Sequence, residues 1–285
     1  MNRMPTKAVK RRKSKKSKIT PGKILRYSFI LLLLSFFTAA LYQYRHGILY
    51  YLSFKTDKRI ESLTEEKRKL ADVRIYEILS RHKDKVFGFD VSHYQGKINW
   101  AAVSDQDSVF PMQFVFIRAT AGKNVTDREF SRNWKQAKAN GFIRGAYHYY
   151  RPNENSLKQA ENFIRNVKLQ KGDLPPVLDI EQIPRKQSMD SLKVGLRRWL
   201  NKVESHYGVK PIIYSGESYY TDFLKKEFTD YKLWIANYSF FEEGIRKEWQ
   251  FWQFTDKASL KGINGNVDIN IYNGNLEAIN NLCIH

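Results

Sequence analysis

The chain has one cysteine among its 285 residues, Cys283, close to the C-terminus. A single thiol excludes an intrachain disulfide and any metal centre built on several cysteines. Histidine is scarce too. The six are His46, His82, His93, His148, His206 and His285, and no two have the close spacing of a helical zinc motif. No metal and no cofactor is expected on these grounds. No glycine-rich phosphate loop stands beside the carboxylates, which argues against a Mg²⁺-dependent phosphate site. No internal repeat is visible. Acid is absent from residues 1–26, which hold eleven Lys and Arg, and charge of either sign is absent from residues 27–42.

What is present is 42% hydrophobic and 14% aromatic, enough for one domain with a substantial core. The formal net charge is +20, and the basic start accounts for eleven of it. Basic tails bind nucleic acid in some proteins, but this one runs straight into the uncharged segment, so no nucleic-acid partner is expected. The uncharged run of sixteen residues falls slightly short of the roughly 20 that span a bilayer. Tyr44, Ile48, Leu49, Tyr50 and Tyr51 extend it, with Arg45 snorkelling to the interface. Residues 1–26 therefore read as a cytoplasmic tail and 27–51 as a single membrane-spanning anchor of the inner cell membrane, with the remainder outside. A cleaved signal peptide ending near Thr38-Ala39-Ala40 is the rival, and the long basic region weighs against it.

Residues 52–85 are charged, with apolar positions at Ile60, Leu63, Leu70, Val73, Tyr76 and Leu79. Spacings of three and seven predict a helix with a narrow apolar stripe: a juxtamembrane stalk, a partner-binding helix, or a brace on the domain. No particular protein partner is implied. From residue 86 to 285, strand-like runs at 86–91, 114–119, 145–150, 177–181, 211–215, 233–238, 249–254 and 267–271 alternate with helical stretches around 129–140, 156–168, 189–206 and 216–227. Gly141 and Gly208 stand where two of these helices stop. After Tyr238 the helices fade. The pattern is α/β: a modified (β/α) barrel of eight strands whose last part is irregular.

Within that pattern Pro175 and Pro176 end one segment, and Val177, Leu178 and Ile180 read as a short buried strand. Residues two apart on a strand share a face, so Asp179 and Glu181 project together. Two crowded acids do not both ionise freely. One acid kept protonated beside an ionised partner is what glycoside hydrolysis requires. Taken alone, such a pair fits a solvated loop equally well. Barrel enzymes, however, carry their chemistry at the C-terminal strand ends. Here those ends hold Asp90, Thr120, Tyr149, Asp179 with Glu181, Tyr214, Asn237, Gln253 and Asp268. Four acids converging on one mouth are costly unless they serve a purpose. Tyr149, Tyr214 and Trp234 are candidate sugar platforms, since aromatic faces pack on pyranose CH groups, and Asn237 and Gln253 are candidate substrate contacts. His148 alternates with Tyr147 and Tyr149, faces away from them and reads as structural. His93 lines the cleft or is held by a structural hydrogen bond. Arg118 is a structural ion pair or a rim contact.

These segments together resemble the glycoside hydrolase family 25 lysozymes, the N-acetylmuramidases. The resemblance covers residues 86–285. It rests on Phe87-Gly88-Phe89-Asp90-Val91-Ser92-His93-Tyr94-Gln95-Gly96 and Ile98-Asn99-Trp100, then Phe116-Ile117-Arg118-Ala119-Thr120, Gly145-Ala146-Tyr147-His148-Tyr149-Tyr150 and Leu178-Asp179-Ile180-Glu181. It continues through Ile213-Tyr214-Ser215, Leu233-Trp234-Ile235-Ala236-Asn237-Tyr238, Trp252-Gln253-Phe254 and Val267-Asp268-Ile269-Asn270. It implies a barrel with about five helices and cleavage of the β-1,4 bond between N-acetylmuramic acid and N-acetylglucosamine of peptidoglycan glycan strands. It further implies Glu181 as general acid, Asp179 as its adjacent carboxylate, and Asp90 and Asp268 as the remaining acids. The apparent anchor, in place of wall-binding repeats, points to local wall remodelling. A catalytically silent, membrane-held peptidoglycan-binding module is the alternative.

Overall fold

The structure, a computed structural model, describes residues 21–43, 65–104 and 109–285. Two compact units divide the chain, residues 1–49 and 50–285. The first unit has one described element, helix α1 (Pro21–Gln43), whose large apolar side chains, Leu31, Leu32 and Phe36 among them, are exposed. Among the described residues no helix is long and apolar enough to cross a membrane. The uncharged part of α1 is shorter than a span requires, and the residues expected to lengthen it, 44–51, lie outside the described residues. So does the basic segment before Pro21.

The second unit opens with helix α2 (Glu65–Arg81), followed by β1 (Val86–Val91), α3 (Trp100–Val103), β2 (Met112–Ala121), β3 (Val125–Thr126), α4 (Phe130–Ala139) and β4 (Ile143–Tyr149). Next come α5 (Ser156–Asn166), β5 (Val177–Asp179), α6 (Met189–Tyr207), β6 (Ile212–Gly216), α7 (Glu217–Tyr219), β7 (Lys232–Ala236), β8 (Phe251–Ala258), β9 (Val267–Tyr272) and α8 (Leu276–Leu282). The strands run β1-β9-β8-β7-β6-β5-β4-β2, and β1 pairs with β2 to close an eight-stranded ring. β3 is a short hairpin partner of β2. Neighbours are parallel except β9, which is antiparallel to both β8 and β1.

All eight expected strands are present. The helix expected over 216–227 is instead the short α7 followed by a π-turn, Tyr220–Leu224. Helix α8 follows the last expected strand, where no helix is expected. Asn275 caps it by accepting from Ala278 N, and its Ile279 is buried among the barrel's interior side chains. Gly141 and Gly208 do stop their helices, each at positive φ.

Strand alternation divides the core. Phe87, Phe89, Val115, Ile117, Leu178 and Ile213 face the surrounding helices. Val86, Phe114, Phe116, Val177, Ile212, Trp234, Phe251 and Tyr272 fill the barrel. The Phe116 ring stacks on Trp234 with centroids 4.3 Å apart, and Phe251 meets Phe116 edge-on at 5.1 Å. Two glycines make room for these rings. A Cβ on Gly88 would lie 2.5 Å from the Phe114 ring, and one on Gly145 2.5 Å from the Phe116 ring. Towards the C-terminal ends of the parallel strands, the inward positions change from apolar to acidic, amide and phenolic. The barrel thus has a closed apolar floor and a polar mouth.

Helix α2 is a brace, packed against β8. Its buried face is Ala71, Arg74, Ile78 and Leu79, whereas Val73 and Tyr76 of the expected stripe are exposed. Ile60 and Leu63 lie outside the described residues. The stripe is displaced because its central member is an arginine. Arg74 Nη1 donates to Phe254 O at 3.1 Å, and Nη2 to Ser239 O at 2.6 Å. One charged side chain thereby satisfies carbonyls that a leucine would leave unpaired. Arg74→Ala in the full chain is expected to lower stability by about 2 kcal/mol, read as a lower thermal midpoint. An unchanged midpoint would show that α2 does not brace the barrel.

Candidate active site

The mouth of the barrel is a cleft of about 710 Å³ lined by Asp90, Asp179, Glu181, Asp256 and Asp268, with Tyr147, Tyr149, Tyr214, Tyr238, Trp234 and Gln253 among them. The volume is within the range usual for ligand sites. Asp90 and Asp268 face each other across the β1–β9 pair. Asp90 sits near the C-terminal end of β1. Asp268 is the second residue of β9 and reaches the mouth only because that strand is reversed. The C-terminal-end rule therefore does not account for it.

Asp90 Oδ2 accepts Gln253 Nε2 at 2.7 Å and Asn270 Nδ2 at 2.8 Å. Burial drives its pKa up, and the bonds from Asn270, Gln253 and Asp268 pull it back, leaving it at about 7. Asp268 is pushed up to about 9 by burial and then by the charge of Asp90. The two behave as a proton-sharing pair in which Asp268 donates and Asp90 carries the charge.

Asp179 ends β5 and is buried. Glu181 lies two residues beyond the strand, not within it, although Ile180 N still donates to Tyr214 O at 3.0 Å and keeps the chain extended. Burial raises the Asp179 pKa well above the usual carboxylate range, with Glu181 and Asp90 adding to the shift and Arg118 opposing it. Its Oδ1 is buried with no hydrogen-bond partner among the described residues. Glu181 is solvent-accessible, opening on the cleft. The surrounding walls still raise its pKa, opposed by a hydrogen bond shared with Tyr214. One acid is therefore at the floor and one in reach of a ligand.

Gln253 is a hub. Its Oε1 accepts the Tyr214 hydroxyl at 2.8 Å and the Tyr238 hydroxyl at 2.5 Å, and its Nε2 holds Asp90. Those partners fix the orientation of the amide. Tyr149 is at the cleft wall, its phenol pushed up to about 12 by burial and then by Glu181 and Asp179. Trp234, expected as a platform, lies flat on Phe116 with Nε1 donating to Asn270 Oδ1 at 2.8 Å. It lines the cleft as its floor. Asn237 does not line the cleft. Its Nδ2 is bonded to Glu217 and its Oδ1 accepts Ser239 N, so it shapes the loop after β7.

Asp127, Tyr147, Tyr238 and Asp256, none of them a site candidate from the sequence, also line the cleft. Asp127 accepts His93 N at 3.0 Å, His93 Nδ1 at 2.9 Å, Arg118 Nε at 3.0 Å and Glu129 N at 3.0 Å. Burial pushes its pKa up, but these bonds outweigh burial and hold it below the usual value. His93 and Arg118 thus both line the cleft and share one carboxylate. Tyr147 has the same inward parity as Tyr149, a signal that strand alternation contains. Asp127 follows the β2–β3 hairpin, which no strand pattern announces.

His148 faces outward, as its parity predicts. Its ring is stacked on Trp199 at 5.5 Å and bonded to the Thr120 hydroxyl at 2.7 Å and Gln159 Oε1 at 3.1 Å. Thr120 therefore serves this site and not the mouth. Burial lowers the His148 pKa to about 3. Because the folded value lies below the unfolded one, stability is complete above about pH 6.5 and falls as pH drops from there towards 3. At pH 5 the loss is expected to be about 2 kcal/mol, read as a lower urea midpoint. His148→Gln should flatten that slope, and an unchanged slope would contradict the assignment.

An acid-rich, largely parallel barrel mouth with tyrosine walls is the make-up of a glycoside hydrolase. The chain belongs to glycosyl hydrolases family 25, whose family model matches residues 89–263. YegX of Escherichia coli K12 is 40% identical to it over 196 residues, 68% of this chain and 72% of that protein. Lysozyme M1 of Streptomyces globisporus is 34% identical over 204 residues, 66% of this chain and 68% of that enzyme. Among solved structures, a family 25 glycosyl hydrolase from Bacillus anthracis superposes with a TM-score of 0.63 at 33% identity, covering 71% of this chain and 95% of that one.

Proposed function

We propose that this glycoside hydrolase is a peptidoglycan muramidase, cleaving the β-1,4 bond between N-acetylmuramic acid and N-acetylglucosamine. The observation that carries the reading is the pairing of Glu181, open to the cleft, with the buried Asp179 beside it. Glu181 is the general acid. It is the carboxyl that a glycosidic oxygen reaches, and its raised pKa keeps the proton available. Asp179 stabilises positive charge that develops on the sugar or orients the substrate's N-acetyl group. Asp90, held by Gln253 and Asn270, is the carboxylate of the pair it forms with Asp268. The names of two relatives, Lysozyme M1 and the N,O-diacetylmuramidase of Chalaropsis sp., support the bond specificity. The purified chain incubated with peptidoglycan should yield new N-acetylmuramic acid reducing ends. New N-acetylglucosamine reducing ends, or none, would overturn the proposal.

The pH profile follows from the carboxyls. Activity falls at low pH as the charged partner is protonated, and falls at high pH as Glu181 loses its proton. A bell with its optimum on the acid side of neutrality is expected. A rate rising steadily to pH 9 would contradict the scheme.

The same reading extends to location. The eleven cations before Tyr27 and the uncharged run after them support a single-pass inner-membrane protein with its N-terminus in the cytoplasm and its barrel outside, remodelling nearby wall. Fractionation should find the full-length chain in the membrane, with the barrel open to protease from the outer side. A soluble mature form beginning near Leu41 would overturn the anchor and leave the activity untouched.

A further inference from the structure

The charges of the cleft are unevenly spread. Asp90, Asp179, Glu181, Asp256 and Asp268 come from β1, β5, β8 and β9, and Asp127, next to β3, is paired with Arg118 and His93. The cations come from the neighbouring β2, β3 and β4 sector: Arg118 within β2, Arg128 just after the β3 hairpin, and Arg151 just after β4, all lining the cleft. Arg118 is committed, its Nε on Asp127 and its guanidinium over the Tyr94 ring at 5.0 Å. Arg151 is half-committed, its Nη1 3.3 Å from Glu154 Oε1, with its side chain 41% exposed. Arg128 is exposed and has no ion-pair partner among the described residues.

The hairpin is fitted against this group. Gly122 has φ +57, and a Cβ there would lie 2.5 Å from Glu154 Oε2 and 2.7 Å from Arg151 Cδ. Glu154 Oε2 in turn accepts Lys123 N at 2.7 Å. The Arg151 stem and the hairpin turn are therefore held together, and the chain leaving that hairpin leads to Arg128.

A neutral glycan needs no cations, and an acidic floor alone repels an anionic one. We propose that the Arg128–Arg151 wall binds a carboxylate of the substrate, projecting from the muramic acid residue. The inference rests on the muramidase reading. Two sources share that chemistry: the lactyl carboxylate itself, free where no peptide is attached, and the carboxylates of an attached stem peptide. Guanidinium groups suit either, since their planar fork matches a carboxylate. Arg151 follows β4, two residues beyond Tyr149 and beside the end of β5 that leads to Glu181, so a muramic acid ring whose glycosidic oxygen faces the acid presents its 3-O substituent towards the cations.

The test is binding, measured in the hydrolytically silent Glu181→Gln background so that it stands apart from turnover. Soluble glycan strands are used in three forms: peptide-bearing, amidase-stripped, and amidase-stripped with the lactyl carboxyl reduced to an alcohol. The parent is compared with Arg128→Gln/Arg151→Gln. Neither substitution strands a buried charge, because Glu154 keeps its bond to Lys123 N. The double variant should bind a carboxylate-bearing form roughly three- to tenfold more weakly and the reduced form as the parent does. A loss confined to peptide-bearing strands assigns the stem peptide, and a loss on stripped strands assigns the lactyl group. Raising salt from about 0.05 to about 0.5 M should weaken the parent more than the variant. Equal affinity of parent and variant for all three forms, or an equal loss on the reduced form, would overturn the proposal. Failure of the wild-type chain to cleave any of them would instead overturn the muramidase reading.

Discussion

Glu181→Gln is expected to lower the hydrolytic rate by roughly 10²–10⁴-fold, the contribution of a positioned general acid, while the thermal midpoint stays near that of the wild type. The amide keeps the shape of the side chain and cannot deliver a proton to the leaving oxygen. The fold should tolerate it because Glu181 lies beyond β5 and opens on the cleft. The loss should appear in kcat, with glycan binding retained. Wild-type turnover in a folded Glu181→Gln protein would remove Glu181 from the mechanism. Inactivity already present in the wild type would favour a silent binding module.

Asp179→Asn is expected to cost roughly 10²–10³-fold in kcat, the range for removing one preorganised electrostatic partner of the transition state. Its second consequence has the opposite sign. Asp179 is a buried carboxyl whose Oδ1 has no partner among the described residues, crowded by Glu181 and Asp90. Replacing it with a neutral amide removes a group that the folded state holds at a cost, so stability should rise by about 1 kcal/mol. Lost activity with raised stability identifies strain kept for function. Near-normal activity would move the role to Asp90 or Asp268.

The acids differ in how readable they were. Asp90, Asp179 and Glu181 follow from runs whose alternation and boundaries are local. Asp268 lines the mouth although its strand does not obey the C-terminal-end rule: a parallel barrel would put the start of β9 at the other end, and the reversed pairing of β9 with β1 and β8 brings it to the mouth. Asp127 and Asp256 carried no local signal. The first follows a two-residue hairpin strand, and the second lies on the stretch of β8 beyond residue 254, where the expected strand ended. Gln253 and Trp234, expected as substrate contacts, both line the cleft. Their hydrogen-bonding groups are already used, by Asp90 and the two tyrosines in one case and by Asn270 in the other.

The stripe on α2 failed for a related reason. Hydrophobic periodicity cannot show that Arg74 faces the domain, because its partners are backbone carbonyls more than 160 residues away. Local pattern alone determined the eight strands, the inward parity of the acids, the outward parity of His148 and the glycine stops of α4 and α6. Each depends on neighbours within a few residues, where steric and hydrophobic periodicity act. Tertiary structure alone decided which polar side chains are spent on one another and which face the cleft, the reversal of β9, and the gathering of Arg118, Arg128 and Arg151 into one sector. Those outcomes depend on strand pairing between distant segments, and closing the ring of strands is what brings such segments together.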